Sequence, residues 1–264
     1  MHWLIQRRRG VVMALLATSL LMNVPARVMT WLLPGEVKLS GLSGTLWSGE
    51  ALRSWVMVDG EAVMLGKVQW RIHLWRLLWS TPLEVNAEWG DQLLSTRLGV
   101  GITGQWILLD TGIAFHLDSL RALMPLYLGG RATGEFDVIR LSHDSLEEGR
   151  GRVTLNKTEW TARSGNIPLG SYRVDVGPGA ERPEVGDPNE REANSVGVSD
   201  IKGVISTEDG SLVLNGTITL SGARYSIDLN ATGPVARDES FRRAVSVLAI
   251  PSATGFEVLI SGQL

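Results

Sequence analysis

From residue 37 onward apolar and polar residues alternate, and this constrains the fold more than any other feature of the chain. Val68, Trp70, Ile72 and Leu74 alternate with Gln69, Arg71 and His73; Leu83, Val85, Ala87 and Trp89 alternate with Glu84, Asn86 and Glu88. The pattern returns at Tyr172, Val174 and Val176, at Tyr225, Ile227 and Leu229, and at Phe256, Val258 and Ile260. Successive side chains of a strand point to opposite faces. A period of two over so many segments therefore predicts half-buried antiparallel strands, each with one apolar face. Asp59-Gly60 and Asp209-Gly210 supply turn residues suited to hairpins between them. Thirty glycines and a charged fraction of 20% fit many short strands and turns. Two short stretches read as helix: Asp118 can cap Ser119 to Leu123 before Pro125, and Asp238 can cap Glu239 to Leu248 before Pro251. Residues 177–200, with Pro178, Pro183 and Pro188, several acids and few apolar residues, read as a solvated, disordered loop.

Charge divides the chain. Residues 1–33 hold Arg7, Arg8, Arg9 and Arg27 and no acid, whereas the remainder has 21 basic against 28 acidic residues, a net −7. That sign opposes nucleic-acid binding, which depends on neutralising phosphates. With no cysteine in the sequence, disulfides, thiolate nucleophiles and Cys-ligated metals are excluded together.

The arginine triplet precedes an apolar run, Val11 to Met22, and two readings of it compete. Twelve apolar residues followed by Val24-Pro25-Ala26 fit a secretory signal cut after Ala26. Alternatively Val11 to Leu33 forms one helix of 23 residues, enough to cross about 30 Å of hydrocarbon. Arg27 would then reach the interface near the far end, and Trp3 and Trp31 would sit at the two headgroup regions. Either way the positive-inside rule keeps residues 1–9 cytoplasmic and sends the bulk of the chain across.

Chemical motifs are weak. Gly99-Val100-Gly101-Ile102-Thr103-Gly104 matches a dinucleotide fingerprint, but Gln105 to Asp110 reads as a strand where a helix is needed, so the glycines read as turns. His2, His73, His116 and His143 show no metal-ligand spacing. The His116–Asp118 pair lacks a nucleophile signature, and Glu147-Glu148 has no apolar pocket to raise a pKa. The expectation is a non-enzyme with no catalytic, cofactor-binding or metal-binding residues. One feature stays open: Trp47, Trp55, Trp70, Trp75, Trp79, Trp89 and Trp106 crowd one stretch, either as core filling or as an apolar docking groove.

Gly41-Leu42-Ser43-Gly44-Thr45-Leu46-Trp47-Ser48-Gly49-Glu50-Ala51 resembles a segment of the type II secretion system protein N family (general secretion pathway protein N). Val68-Gln69-Trp70-Arg71 and Leu77-Leu78-Trp79 follow in matching order, and Pro25-Ala26 is similar to the family's membrane segment. The strong similarity covers about residues 11–90. Gly44 and Gly49 allow tight turns around Trp47, so this segment reads as a hairpin packing one indole into the sheet. The resemblance favours the anchor, residues 10–33 as a single transmembrane helix, over the cleaved signal. It implies a mainly β protein whose residues 34–264 form a periplasmic domain built on a curved antiparallel sheet. It further implies an accessory inner-membrane component of the machine that exports folded proteins, with the inner-membrane platform or the secretin as partners. A looser similarity to AsmA-like envelope proteins implies an alternative, lipid handling through an apolar groove.

Overall fold

The computed structural model describes residues 12–263 except 14, 59–60, 75, 77–80, 102–103, 123–126, 143–144, 163–164, 180–199 and 247–248. The chain divides into two compact units, Met1–Gly90 and Asp91–Leu264. Both are mainly β, and every strand pair is antiparallel.

Unit 1 holds four strands in sequence order: β1 (Val37–Gly44), β2 (Ser48–Val58), β3 (Glu61–Ile72) and β4 (Leu83–Trp89). The apolar alternation is realised directly. Ala51 of β2 and Trp70 of β3 are buried on one face, with Val68, Ile72 and Leu83 packed beside them. The turn at Asp59-Gly60 lies outside the described residues, and the pairing Val58↔Glu61 places a hairpin there.

The N-terminal segment differs from a single helix. Residues 12–22 are helical where described, and Asn23 turns. Pro25 is extended, at φ −69° and ψ 149°, and a three-residue 3₁₀ turn (Ala26–Val28) leads into α1 (Met29–Leu32). Among the described residues no helix is long and apolar enough to cross a membrane. The helix expected over residues 10–33 is thus interrupted, and the physical reason joins a proline to a contact from beyond β1. Pro25 has no N–H to continue a helical ladder, and it forms a β-bridge with Thr45 instead.

Unit 2 places β5 (Gln92–Val100), β6 (Trp106–His116), β7 (Leu128–Leu141), β8 (Leu146–Ala162), β9 (Gly165–Pro178), β10 (Ile201–Gly210), β11 (Val213–Ser221) and β12 (Arg224–Thr232) side by side in sequence order. The last long strand, β14 (Gly255–Gln263), joins β12, and the two-residue β13 (Ile250–Pro251) borders it. Gly99 and Val100 end β5, and no helix follows: Gly101 N–H donates to the Gln105 carbonyl at 2.8 Å and β6 begins at Trp106, while Ile102 and Thr103 lie outside the described residues. Two boundaries differ from expectation. Gly177 and Pro178 belong to β9 rather than to the loop, since Val176, Gly177 and Pro178 all pair with β10. Asp209 and Gly210 finish β10, so that hairpin turns at residues 211–212.

The core of unit 2 lies where short helices meet the sheet. A 3₁₀ turn (Val235–Arg237) and α2 (Glu239–Val245) bring Val235, Ala236 and Phe241 onto Trp160, Leu169, Tyr172, Leu212, Ala231 and Phe256. Phe241 meets Trp160 edge-on, with centroids 5.2 Å apart at 73°, the arrangement that aromatic quadrupoles favour. Asp238 caps α2 by accepting from Phe241 N–H at 2.9 Å. The other expected helix is a 3₁₀ turn over Leu117–Ala122, with Asp118 inside its first turn rather than at its cap.

Candidate functional site

Thr45, Leu46 and Trp47 form the β1–β2 connection, and they hold the segment that leaves the apolar helix. Gly44 adopts φ +86°, and Thr45 N–H closes the turn on the Ser48 carbonyl at 2.9 Å. A Cβ on Gly44 would lie 2.6 Å from that carbonyl oxygen, so the turn depends on glycine. Leu46 N–H donates to the Val24 carbonyl at 2.8 Å, and Trp47 Nε1–H donates to the Leu21 carbonyl at 2.7 Å. Leu21 belongs to the last helical turn, whose carbonyls lack intrahelical partners, so the indole acts as a C-terminal cap. Ala26 and Met29, 2% and 8% exposed, then enter the pocket made by Ala51 and Trp70. Trp70 Nε1–H donates to the Leu46 carbonyl at 3.0 Å. The indole packed into the sheet is therefore Trp70. A Cβ on Gly49 would sit 2.5 Å from its ring, which explains the second motif glycine. Trp47 instead reaches 26 residues back along the chain, a contact for which no local pattern gives a signal.

The other side of the motif borders a polar cleft of about 360 Å³ lined by Ser43, Glu50, Gln69, Arg71, Glu84 and Asn86 among others. Glu50 is already engaged, with Lys67 Nζ at 2.9 Å and Gln69 and Ser43 donating to it. These contacts, Lys67 first, hold its carboxyl below the usual range. Glu84 lies 3.0 Å from His73 Nε2 and 3.3 Å from Arg76. That pairing, His73 first, depresses its carboxyl too. Such groups are poor general acids, since an acid needs a raised pKa. In unit 2 His116 meets Asp91 at 2.7 Å rather than Asp118, and Arg131 joins at 3.1 Å. Among the described residues no group of three or more His, Asp or Glu side chains is placed to hold a metal.

The described tryptophans differ in what surrounds them. Trp70 is buried and Trp47 is spent on the helix, while Trp89 and Trp106 are 44% and 53% exposed and belong to different units. Trp75 and Trp79 lie outside the described residues or side chains.

The extended apolar surface lies elsewhere, on one face of the unit 2 sheet. Register sets Val153, Val174, Ile205, Gly216, Leu229 and Val258 in one cross-strand row. Gly151, Val176, Gly203, Ile218, Ile227 and Ile260 form the next. Most of these side chains are half-buried. The intervening residues turn to the opposite face, where Arg152 bonds Asp175 at 2.6 Å and Arg173 pairs with Glu208.

The chain belongs to the family described as Type II secretion system (T2SS), protein N, whose family model matches residues 35–184. The match begins beyond the apolar helix and continues past residue 90, further than the motifs alone reach. The chain is 28% identical over 171 residues to the type II secretion system protein N of Vibrio cholerae serotype O1, covering 61% of this chain and 66% of that protein. It is 26% identical over 174 residues to the protein N of Aeromonas hydrophila, covering 60% of this chain and 64% of that one. The matches thus span a little under two-thirds of each relative's length. No solved structure matches the chain.

Proposed function

We propose that this chain is an accessory inner-membrane component of the type II secretion machinery. Residues 1–9 are cytoplasmic, the apolar helix is anchored in the bilayer, and the β-rich remainder is a periplasmic scaffold that binds the inner-membrane platform or the secretin. Family membership supports the secretion role, and one structural observation carries the anchored form. What supports it is that the helix of residues 12–22, with Leu15, Leu16 and Leu20 from 55% to 73% exposed, is joined to unit 1. Its last turn and the following Val24 to Met29 are part of unit 1. A cut after Ala26 would remove Val24, Pro25 and Ala26 from the fold. With the helix ending near Asn23, the outer boundary of the anchor shifts inward from Leu33. Trp31 and Leu32, 84% and 66% exposed on α1, then suit the membrane–water interface.

Fractionation of a cell assembling the machinery, with N-terminal sequencing, tests the anchor. Retention of residues 1–26 in the membrane fraction is expected, and a soluble chain beginning at Arg27 would refute it. Crosslinking in the same cells tests the scaffold. Adducts with platform or secretin subunits are expected, and their absence while the machinery is assembled would remove the secretion role.

A further inference from the structure

We infer that two copies of this chain pair along the outer edge of β14, strand against strand, to form one continuous sheet across a two-fold axis. This goes beyond the secretion role and stands or falls separately from it. Every residue of β14 from Gly255 to Gln263 pairs with β12 without a shift in register. On the other side β13 covers Phe256 and Glu257, and Ala249 then leaves the edge to pack against the core cluster. Among the described residues nothing pairs with Val258 to Gln263 on that side. A strand edge presents a row of backbone N–H and C=O groups, and folded proteins blunt such edges with charge, proline or a bulge. Val258 to Gln263 contains none of these, and its Val-Leu-Ile run favours the extended state. The outer strand of unit 1 is guarded. There β1 carries Lys38 and a left-handed Gly41 at φ +69°, and Pro25 bridges to Thr45 just past its end.

The strand's own sequence selects the occupant. In an antiparallel pair, residues directly opposite each other share a face. A two-fold axis at Ile260 therefore sets Ile260 against Ile260 of the second copy, Leu259 against Ser261, and Val258 against Gly262. The incoming strand then starts at Val258, just clear of β13. Ile218 and Ile227 lie in register with Ile260, so this apolar row runs on into the same isoleucines of the second copy. Moving the axis to Ser261 would lose that contact and set Ile260 against Gly262. A Cβ on Gly262 would lie 2.6 Å from Tyr225 Oη, so the Tyr225 ring occupies the space of the missing side chain and faces Val258 of the second copy. On the opposite face Asp228 pairs with Leu259, and beyond Leu259 stands Ser261 of the second copy rather than another acid. No like charges meet in this register, although the chain beyond residue 33 is acidic. Any extended polypeptide could use the backbone groups; a copy of β14 also continues apolar face onto apolar face and polar onto polar. A ladder this short buries less than the roughly 1,000 Å² of a lasting interface, so the pairing forms and separates readily.

The sequence has no cysteine, so single introduced thiols read the register directly. The test uses the full chain in detergent micelles under a mild oxidant. Ile260→Cys should give a disulfide-linked dimer, since directly opposite residues have Cα atoms about 4.5–5.5 Å apart, within disulfide reach. Leu259→Cys alone and Ser261→Cys alone should each give about tenfold less, because each stands on a diagonal from its own counterpart. Mixing those two variants should restore the yield. No dimer from Ile260→Cys, or equal yields from all three single variants, would overturn the proposal. Charge provides a second readout on the Leu259→Cys and Ser261→Cys mixture. Ile260→Lys in both chains sets like charges opposite each other and should lower the yield about tenfold. Ile260→Lys in one chain and Ile260→Glu in the other should bring it back. A chain that had merely lost its fold would not recover on mixing, and equal yields from the two combinations would refute the contact. Benzophenone incorporated at position 259 in cells should join the chain to a second copy. An adduct with a different polypeptide, or a link within one chain, would identify another occupant of the edge and overturn the proposal.

Discussion

At the residue scale, Trp47 and Gly49 of the GTLWSG segment separate two roles that the motif combines. Trp47→Phe keeps the aromatic volume and removes the N–H that caps Leu21. We expect a loss of about 0.5–1.5 kcal/mol, seen as faster hydrogen exchange in residues 19–24 with β3 unaffected. Uniform exchange in the variant and the parent would disprove the cap. Gly49→Ala places a methyl 2.5 Å from the Trp70 ring, so overpacking should cost about 1–3 kcal/mol in thermal unfolding of unit 1. Glu84 gives a pH test. Its carboxyl is depressed from the ordinary 4.5, chiefly through His73. The folded state therefore favours the carboxylate; the contribution is present above 4.5 and is lost as the pH falls through the depressed value. Urea midpoints taken from about pH 6 to about pH 3 should fall less steeply in Glu84→Gln than in the parent. Parallel curves would show that the pair contributes nothing.

At the scale of elements, the alternation of residues 68–72 and 172–176 was sufficient to place strands, although His73 and Leu74 of the same pattern lie beyond the end of β3. Period two maps one residue onto one face without reference to anything distant. Asp238 was legible for the same reason, because a cap is a contact of three residues' span. Asp238→Ala should fray α2, visible as lost protection of Phe241 N–H. The same loss should appear in the parent as the pH drops below the ordinary 3.8 of an aspartate, since the Phe241 hydrogen bond holds that carboxyl low. What the sequence concealed were the long-range contacts. Composition allowed the apolar run to continue through Pro25 as a kinked membrane helix. The break follows from Thr45 and Leu46 bonding residues 24–25 from the far side of β1. The tryptophan-rich stretch likewise left core filling and a docking groove open. The aliphatic rows lie later in the chain, on β8 to β12 and β14, where single isoleucines and valines gave no local concentration to notice.

For the whole molecule, membership in the protein N family joins these parts to type II secretion. The first unit is fused to an apolar helix, and the second is a sheet with a polar and a greasy side. One consequence concerns how position is transmitted. A domain on a flexible tether would explore a volume set by linker length. Here Leu21 is bonded to Trp47, and Ala26 is buried against Ala51 and Trp70, so there is no slack between helix and sheet. In the anchored form proposed above, tilt or rotation of the helix would turn β1 and β2 with it, and a force on the sheet would be felt as torque in the bilayer. Insertion of a Gly-Ser segment between Asn23 and Val24 should decouple them, broadening the distance distribution between spin labels on residue 16 and on β2. An unchanged, narrow distribution would mean that the lever arm is held by something other than this joint.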